Sequence, residues 1–158
     1  MDEKLIDTLK LPEDLRTLPM EDLPRVANEL RHELIDSVSR SGGHFASSLG
    51  ATDVGHQAYV HKMVTGRRQQ MSGIRTINGI SGFLKRNESP FDAFGAGHAG
   101  TSISAAVGMR VALDSLEPER YVAAIIGDGS LTSGMAFEAL NHAGDLQLKL
   151  SLIHISEP

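Results

Sequence analysis

From Tyr121 to Gly144 the chain reads YVAAIIGDGSLTSGMAFEALNHAG, and this stretch leaves few folds open. Tyr121 to Ile126 is a continuous apolar run of strand length, the pattern of a parallel strand covered on both faces. Gly127-Asp128-Gly129 interrupts it. Ser130 to Ala143 then sets Leu131, Met135, Phe137 and Leu140 at helical spacing, with Gly144 as the C-cap. A carboxylate at the carboxyl end of a buried parallel strand, just before a helix, suits a metal that bridges to a phosphate. The flanking glycines let the backbone come close to such a ligand. In most chains a Gly-Asp-Gly between strand and helix is a turn and nothing more.

A second unit precedes it. Phe94 to Leu116 reads FGAGHAGTSISAAVGMRVALDSL: a glycine-rich turn over 95–100, Thr101 or Ser102 as N-cap, and a helix lined by Ala105, Ala106, Gly108 and Ala112. Small residues let such a helix lie close to a neighbour. Its N-terminus beside His98 is a candidate anion site. Glu117-Pro118-Glu119-Arg120 turns the chain into the strand. Helix, turn, strand, turn, helix is half of a doubly wound parallel α/β sheet flanked by helices.

Upstream, residues 1–19 read as a polar arm with at most a short helix. Leu23, Val26, Ala27, Leu30, Leu34, Ile35 and Val38 recur at helical spacing, with Pro24 in the first turn and Gly42-Gly43 as the stop. This helix is core support, with Arg25, Glu29, Arg31 and Asp36 facing water. Val60 to Thr65 continues as a short helix ending near Gly66. Residues 69–93 are loop-rich, a length of irregular chain that points to a functional or mobile loop.

The bulk properties narrow the function classes. A 158-residue chain holds one domain with a real core. A net charge of −5 with both signs interspersed argues against a nucleic-acid surface, and the absence of Trp argues against base stacking. With no cysteine there is neither a disulfide nor a thiolate ligand or nucleophile. No apolar run reaches bilayer length, and the acidic start MDEKLIDTLK is neither a secretory signal nor a transit peptide. The expectation is a cytoplasmic bacterial protein without membrane partners.

Three histidines stand in small-residue loops: His44 in GGHFAS, His56 in VGHQAY and His98 in AGHAGTS. Singly, each reads as an ordinary loop histidine. Together, each beside glycine, they form a constellation with Asp128. A three-histidine zinc site is the rival, although none of the three pairs at the i, i+4 spacing of common zinc motifs. No Gly-x-Ser-x-Gly elbow supports a serine nucleophile. His142 and His154 read as surface or helix-end residues.

The phrases SVSRSGGHFASSLG, DVGHQAYVHKMVTGRR, GHAGTSISAAVGM and IIGDGSLTSGMAFEALNHAGDL, in this order, resemble the N-terminal domain of the 1-deoxy-D-xylulose-5-phosphate synthase family, within the transketolase superfamily. The resemblance covers roughly residues 10–148. It implies a thiamine-diphosphate-binding domain with Mg²⁺, in an enzyme that condenses pyruvate with D-glyceraldehyde 3-phosphate, loses carbon dioxide and forms a precursor of isoprenoids, thiamine and pyridoxal. It implies that Asp128 ligates Mg²⁺ and that Gly129 and Ser130 line the diphosphate. It also implies that His56 and Gly97-His98-Ala99 contact the cofactor and that His44 serves proton transfer or substrate orientation. The parent enzyme is expected to be a homodimer.

The sequence departs from the family in three places. Between Gly50 and Asp53 the family has a further helix and strand, on the order of 20 residues, about what a crossover to a parallel strand takes. Only Ala51 and Thr52 stand here, which puts the placement of His56 in question. At the C-terminus the family's strand ends in Asn-Asp-Asn, whose last Asn is a metal ligand. In this chain LSLIHISEP puts Glu157 in that place and resembles translated adapter sequence. The pyrimidine-binding domain is also missing, so the fragment alone is expected to be inactive. The expected organisation is an arm over 1–19, a diphosphate-binding domain over 20–148 shortened near 50–53, and a non-native tail over 149–158. The alternatives are another transketolase-superfamily domain and a non-catalytic α/β fragment that binds no cofactor.

Overall fold

A computed structural model describes residues 4–41 and 58–155 of the chain. The described residues divide into two compact units, one of residues 4–41 and 59–82, the other of residues 58 and 83–155.

The first unit is helical. A short helix α1 (Leu5–Thr8) and a 3-10 turn (Asp14–Arg16) form the arm, and α2 (Leu23–Ser41) is its long element. Val26, Leu30, Leu34 and Val38 recur every fourth residue and are buried, a stripe that packs with Ile6 of α1. The stripe is narrower than the sequence pattern, because Ile35 stays 40% exposed. Glu29 does not simply face water either. Its carboxylate accepts the backbone N–H groups of Leu5 (3.1 Å) and Ile6 (2.9 Å). These are first-turn donors that α1 leaves without helical partners.

After α3 (Tyr59–Lys62) the chain makes a wide turn over Met63–Arg67, where Gly66 takes φ 89°. A residue with a Cβ is disfavoured at that angle, and the helix ends there. A 3-10 helix (Arg68–Gly73) and the loop after it are anchored rather than loose: Met71 of the former and Ile74 and Ile80 of the latter are buried in the same core as α2. The irregular chain here therefore contributes packing, because its apolar residues sit at turns whose backbone is satisfied locally, as in Arg75 N–H to Ile80 O (2.8 Å).

The second unit is the α/β part. It contains α4 (Ser102–Leu116), β1 (Ala123–Gly127), a one-turn helix α5 (Asp128–Leu131), α6 (Gly134–Asp145) and β2 (Ser151–Ile155). The two strands pair in parallel, Ala123 with Ser151 through Gly127 with Ile155, so the intervening helices form the crossover. The core joins Ile103 and Ala106 of α4, Ala124 and Ile126 of β1, and Ala136 and Ala139 of α6. Alanine dominates the helix side, which lets both helices lie close to the strand. Burying a side chain the size of Ile126 stabilises by roughly 2 kcal/mol.

Two expectations change here. The apolar run predicts a β1 covered on both faces. Its burial instead alternates: Ala124 and Ile126 are buried, Ala123 is exposed, and Ile125 and Gly127 are intermediate. Among the described residues α4 and α6 cover the face of Ala124 and Ile126. The second correction is that Ser130–Ala143 is not one helix. The chain breaks at Ser133, which takes φ −70° and ψ 139°, and α6 starts anew at Gly134.

Candidate functional site

β1 delivers the chain to Gly127, and Asp128 opens α5. The Asp128 side chain is exposed. Its Oδ1 accepts the Gly129 N–H at 2.7 Å, its one hydrogen bond among the described residues. The turn closes through Thr132 Oγ1, which donates to Gly129 O at 2.7 Å. A Cβ built on Gly127 or Gly129 would meet nothing within 4 Å, so the turn presents open backbone.

The glycine-rich turn before α4 comes to the same place. His98 is exposed, and its carbonyl accepts the Thr101 hydroxyl at 3.1 Å. Gly100 is buried and takes φ 77°. A Cβ on Gly100 would stand 1.9 Å from Ser133 Oγ, 2.8 Å from Ser133 Cβ and 3.3 Å from Ser130 O. Real side chains do not approach that closely, so only glycine lets the two turns touch. Through this contact the glycine-rich turn that ends at Gly100 meets Ser130 and Ser133, just beyond Asp128 and Gly129 at the carboxyl end of β1. His44 and His56 lie outside the described residues.

Gly100 and Ser133 were not singled out in the sequence as site residues, yet they are the hinge of the arrangement. Ser133 occupies the N-cap position of α6, but its hydroxyl makes no cap hydrogen bond. Its Oγ is buried and has no hydrogen-bond partner among the described residues. The signal that could have exposed it was Thr132-Ser133-Gly134, a serine just before a glycine inside an otherwise helical pattern, which reads as a fresh N-cap. Among the described residues no group of three His, Cys, Asp or Glu side chains could hold a metal. His142 and His154 are exposed. No helix among the described residues is long and apolar enough to cross a membrane.

The family model for the N-terminal domain of 1-deoxy-D-xylulose-5-phosphate synthase matches residues 6–54 and 51–155. The chain belongs to that family. A 1-deoxy-D-xylulose-5-phosphate synthase of Chlorobium phaeovibrioides is 54% identical over 162 aligned positions, which cover 90% of this chain and 26% of the relative. Those of Thioalkalivibrio sulfidiphilus and Thiobacillus denitrificans are each 49% identical, covering 94% and 97% of this chain and 26% and 28% of theirs. The chain thus spans about a quarter of the length of the synthases it matches. An alignment of 162 positions over 90% of 158 residues leaves roughly 20 positions of the relative with no counterpart here, about the length of a crossover to a parallel strand. The two stretches matched by the synthase family model meet at 51–54.

Proposed function

We propose that this chain is the diphosphate-binding portion of a 1-deoxy-D-xylulose-5-phosphate synthase, and that the full enzyme condenses pyruvate with D-glyceraldehyde 3-phosphate as a cytoplasmic homodimer. The observation that supports the reading is the seating of Gly100 on Ser133 and the Ser130 carbonyl, which joins the turn that follows His98 to the turn that follows Asp128 at the end of β1. This is the place where α/β sheets take phosphate ligands.

The residues fit thiamine diphosphate with Mg²⁺. Mg²⁺ is commonly held by one or two carboxylates plus ligand phosphates rather than by an all-protein cage. Asp128, exposed beside open glycine backbone, supplies one such carboxylate. The cofactor, when bound, supplies the carbon–carbon bond chemistry. In this reading Gly129 and Ser130 line the diphosphate, Gly97, His98 and Ala99 contact the cofactor with His56, and His44 moves a proton or orients substrate. Glu157 stands where the family has the second ligand, and the proposal gives the metal no ligand from residues 149–158. We read that tail as non-native, occupying the family's strand position, and the segment near 50–53 as a shortening of the domain. The source nucleotide read tests both: an open frame running into native-looking coding sequence overturns the tail assignment.

Titration calorimetry of the purified chain with thiamine diphosphate tests the site. Binding that requires Mg²⁺ and disappears in Asp128→Ala supports it. Metal-independent binding, or none, favours a non-catalytic α/β fragment. The 158 residues alone do not turn over pyruvate and glyceraldehyde 3-phosphate in this reading, and product from the purified chain contradicts that.

A further inference from the structure

An apolar groove of about 460 Å³ runs between α4 and the strand entering the site. Its helix wall is built from Ala105, Met109 and Leu113 with their small neighbours. Its other wall is Tyr121 to Ile125, five consecutive residues. Successive side chains of a strand point to opposite faces, so a wall of consecutive residues is the strand's edge and not one of its faces. β2 occupies one edge of β1, and among the described residues no strand occupies the other. Tyr121, at the head of this edge, is 93% exposed. An unpaired edge beside an apolar groove is a template for strand addition.

The alignments name an occupant. Relatives carry roughly 20 positions that this chain lacks, enough for a crossover ending in one parallel strand. The two stretches matched by the family model meet at 51–54, which locates the missing positions. We propose that the groove is the seat of that segment, and that the segment supplied as a separate peptide adds as a strand to the free edge of β1. A strand there would cover Ala123 and Ile125 from the side and pair the open backbone of the edge. The inference rests on the family membership and the groove, and not on the cofactor assignment.

The test uses the full 158-residue chain and a dye-labelled synthetic peptide. The peptide carries the stretch of the Chlorobium phaeovibrioides synthase that has no counterpart at 51–54, with a scrambled version as control. Fluorescence anisotropy is expected to show saturable binding of the native-order peptide only. Ala105→Trp, which fills the groove, and Met109→Arg, which charges it, are each expected to weaken binding at least tenfold while circular dichroism stays unchanged. If either variant misfolds, inserting the same segment between Ala51 and Thr52 provides the second measurement, since it should raise the thermal midpoint and abolish peptide binding. Absence of saturable binding overturns the proposal, as does binding indifferent to the groove variants or to the insertion. Concentration-dependent dimerisation that both variants abolish, without peptide binding, assigns the groove to a second copy and also overturns it.

Discussion

Gly100 seats its α-carbon against the Ser133 side chain so closely that a methyl group there would lie 1.9 Å from Ser133 Oγ. The contact joins the turn before α4 to the break between α5 and α6. Gly100→Ala has two costs: the collision, and a φ of 77° that a Cβ disfavours. The expected loss is about 2–3 kcal/mol in guanidinium unfolding. Gly129→Ala, whose added Cβ meets nothing at a helical position, is the internal control and should be neutral or stabilise by up to about 1 kcal/mol.

Ser133 carries the opposite expectation. Its hydroxyl is buried, has no partner among the described residues and does not cap α6. Removing an unsatisfied buried hydroxyl is neutral or favourable, so Ser133→Ala should leave stability unchanged or raise it by up to about 1 kcal/mol. A serine acting as an ordinary N-cap would instead lose about 1 kcal/mol on the same change. The denaturation midpoint of the unliganded chain separates the two.

These two residues also show what the sequence could and could not convey. The strand and both major helices of the α/β unit were legible, because apolar runs and 3.6-residue spacing report directly on burial. That Asp128 and His98 sit in turns was legible, because glycine beside a charged or titratable residue is unusual outside turns. The contact between Gly100 and Ser133 was not, since it joins positions 33 residues apart and leaves no periodic trace. The break at Ser133 was hidden by apolar spacing that continues across it. The roles proposed for His44 and His56 rest on resemblance alone, because a lone loop histidine carries no geometry in its neighbours. The half-open face of β1 was misread because an apolar run does not say how many of its faces find a partner in this chain.

Arg68 ties the arm to the first unit's core helix. Its Nε donates to Glu33 Oε1 at 2.6 Å and Oε2 at 2.8 Å, and its Nη2 reaches Asp7 Oδ1 at 2.6 Å. These carboxylates, Glu33 foremost, hold the guanidinium above its usual pKa despite partial burial. Arg68 and Glu33 are mostly shielded, whereas Asp7 is about half exposed. Arg68→Ala should cost about 2 kcal/mol, mainly from Glu33. Arg68→Lys should recover less than half of that, because an ammonium cannot make the forked contact. Added salt should weaken the exposed Asp7 link first, which limited proteolysis of residues 1–19 would report.

Glu29 sets an acid limit on the same unit. Burial alone would raise its pKa, but the N–H groups of Ile6 and Leu5 and the Arg25 guanidinium stabilise the carboxylate and hold it below the ordinary value. A folded-state pKa below the unfolded one gives stability that is fully present above the unfolded value, about 4.3 for a glutamate, and is lost as pH falls through the lower folded value. Protonation also removes the acceptors that hold the first turn of α1, so the arm should loosen over that same interval. The measurement is urea unfolding at a series of pH values from neutrality downward. Glu29→Gln should be less stable than the parent at pH 7 and should show a shallower decline on the acid limb. If both proteins lose stability in parallel as pH falls, Glu29 is not the group that titrates.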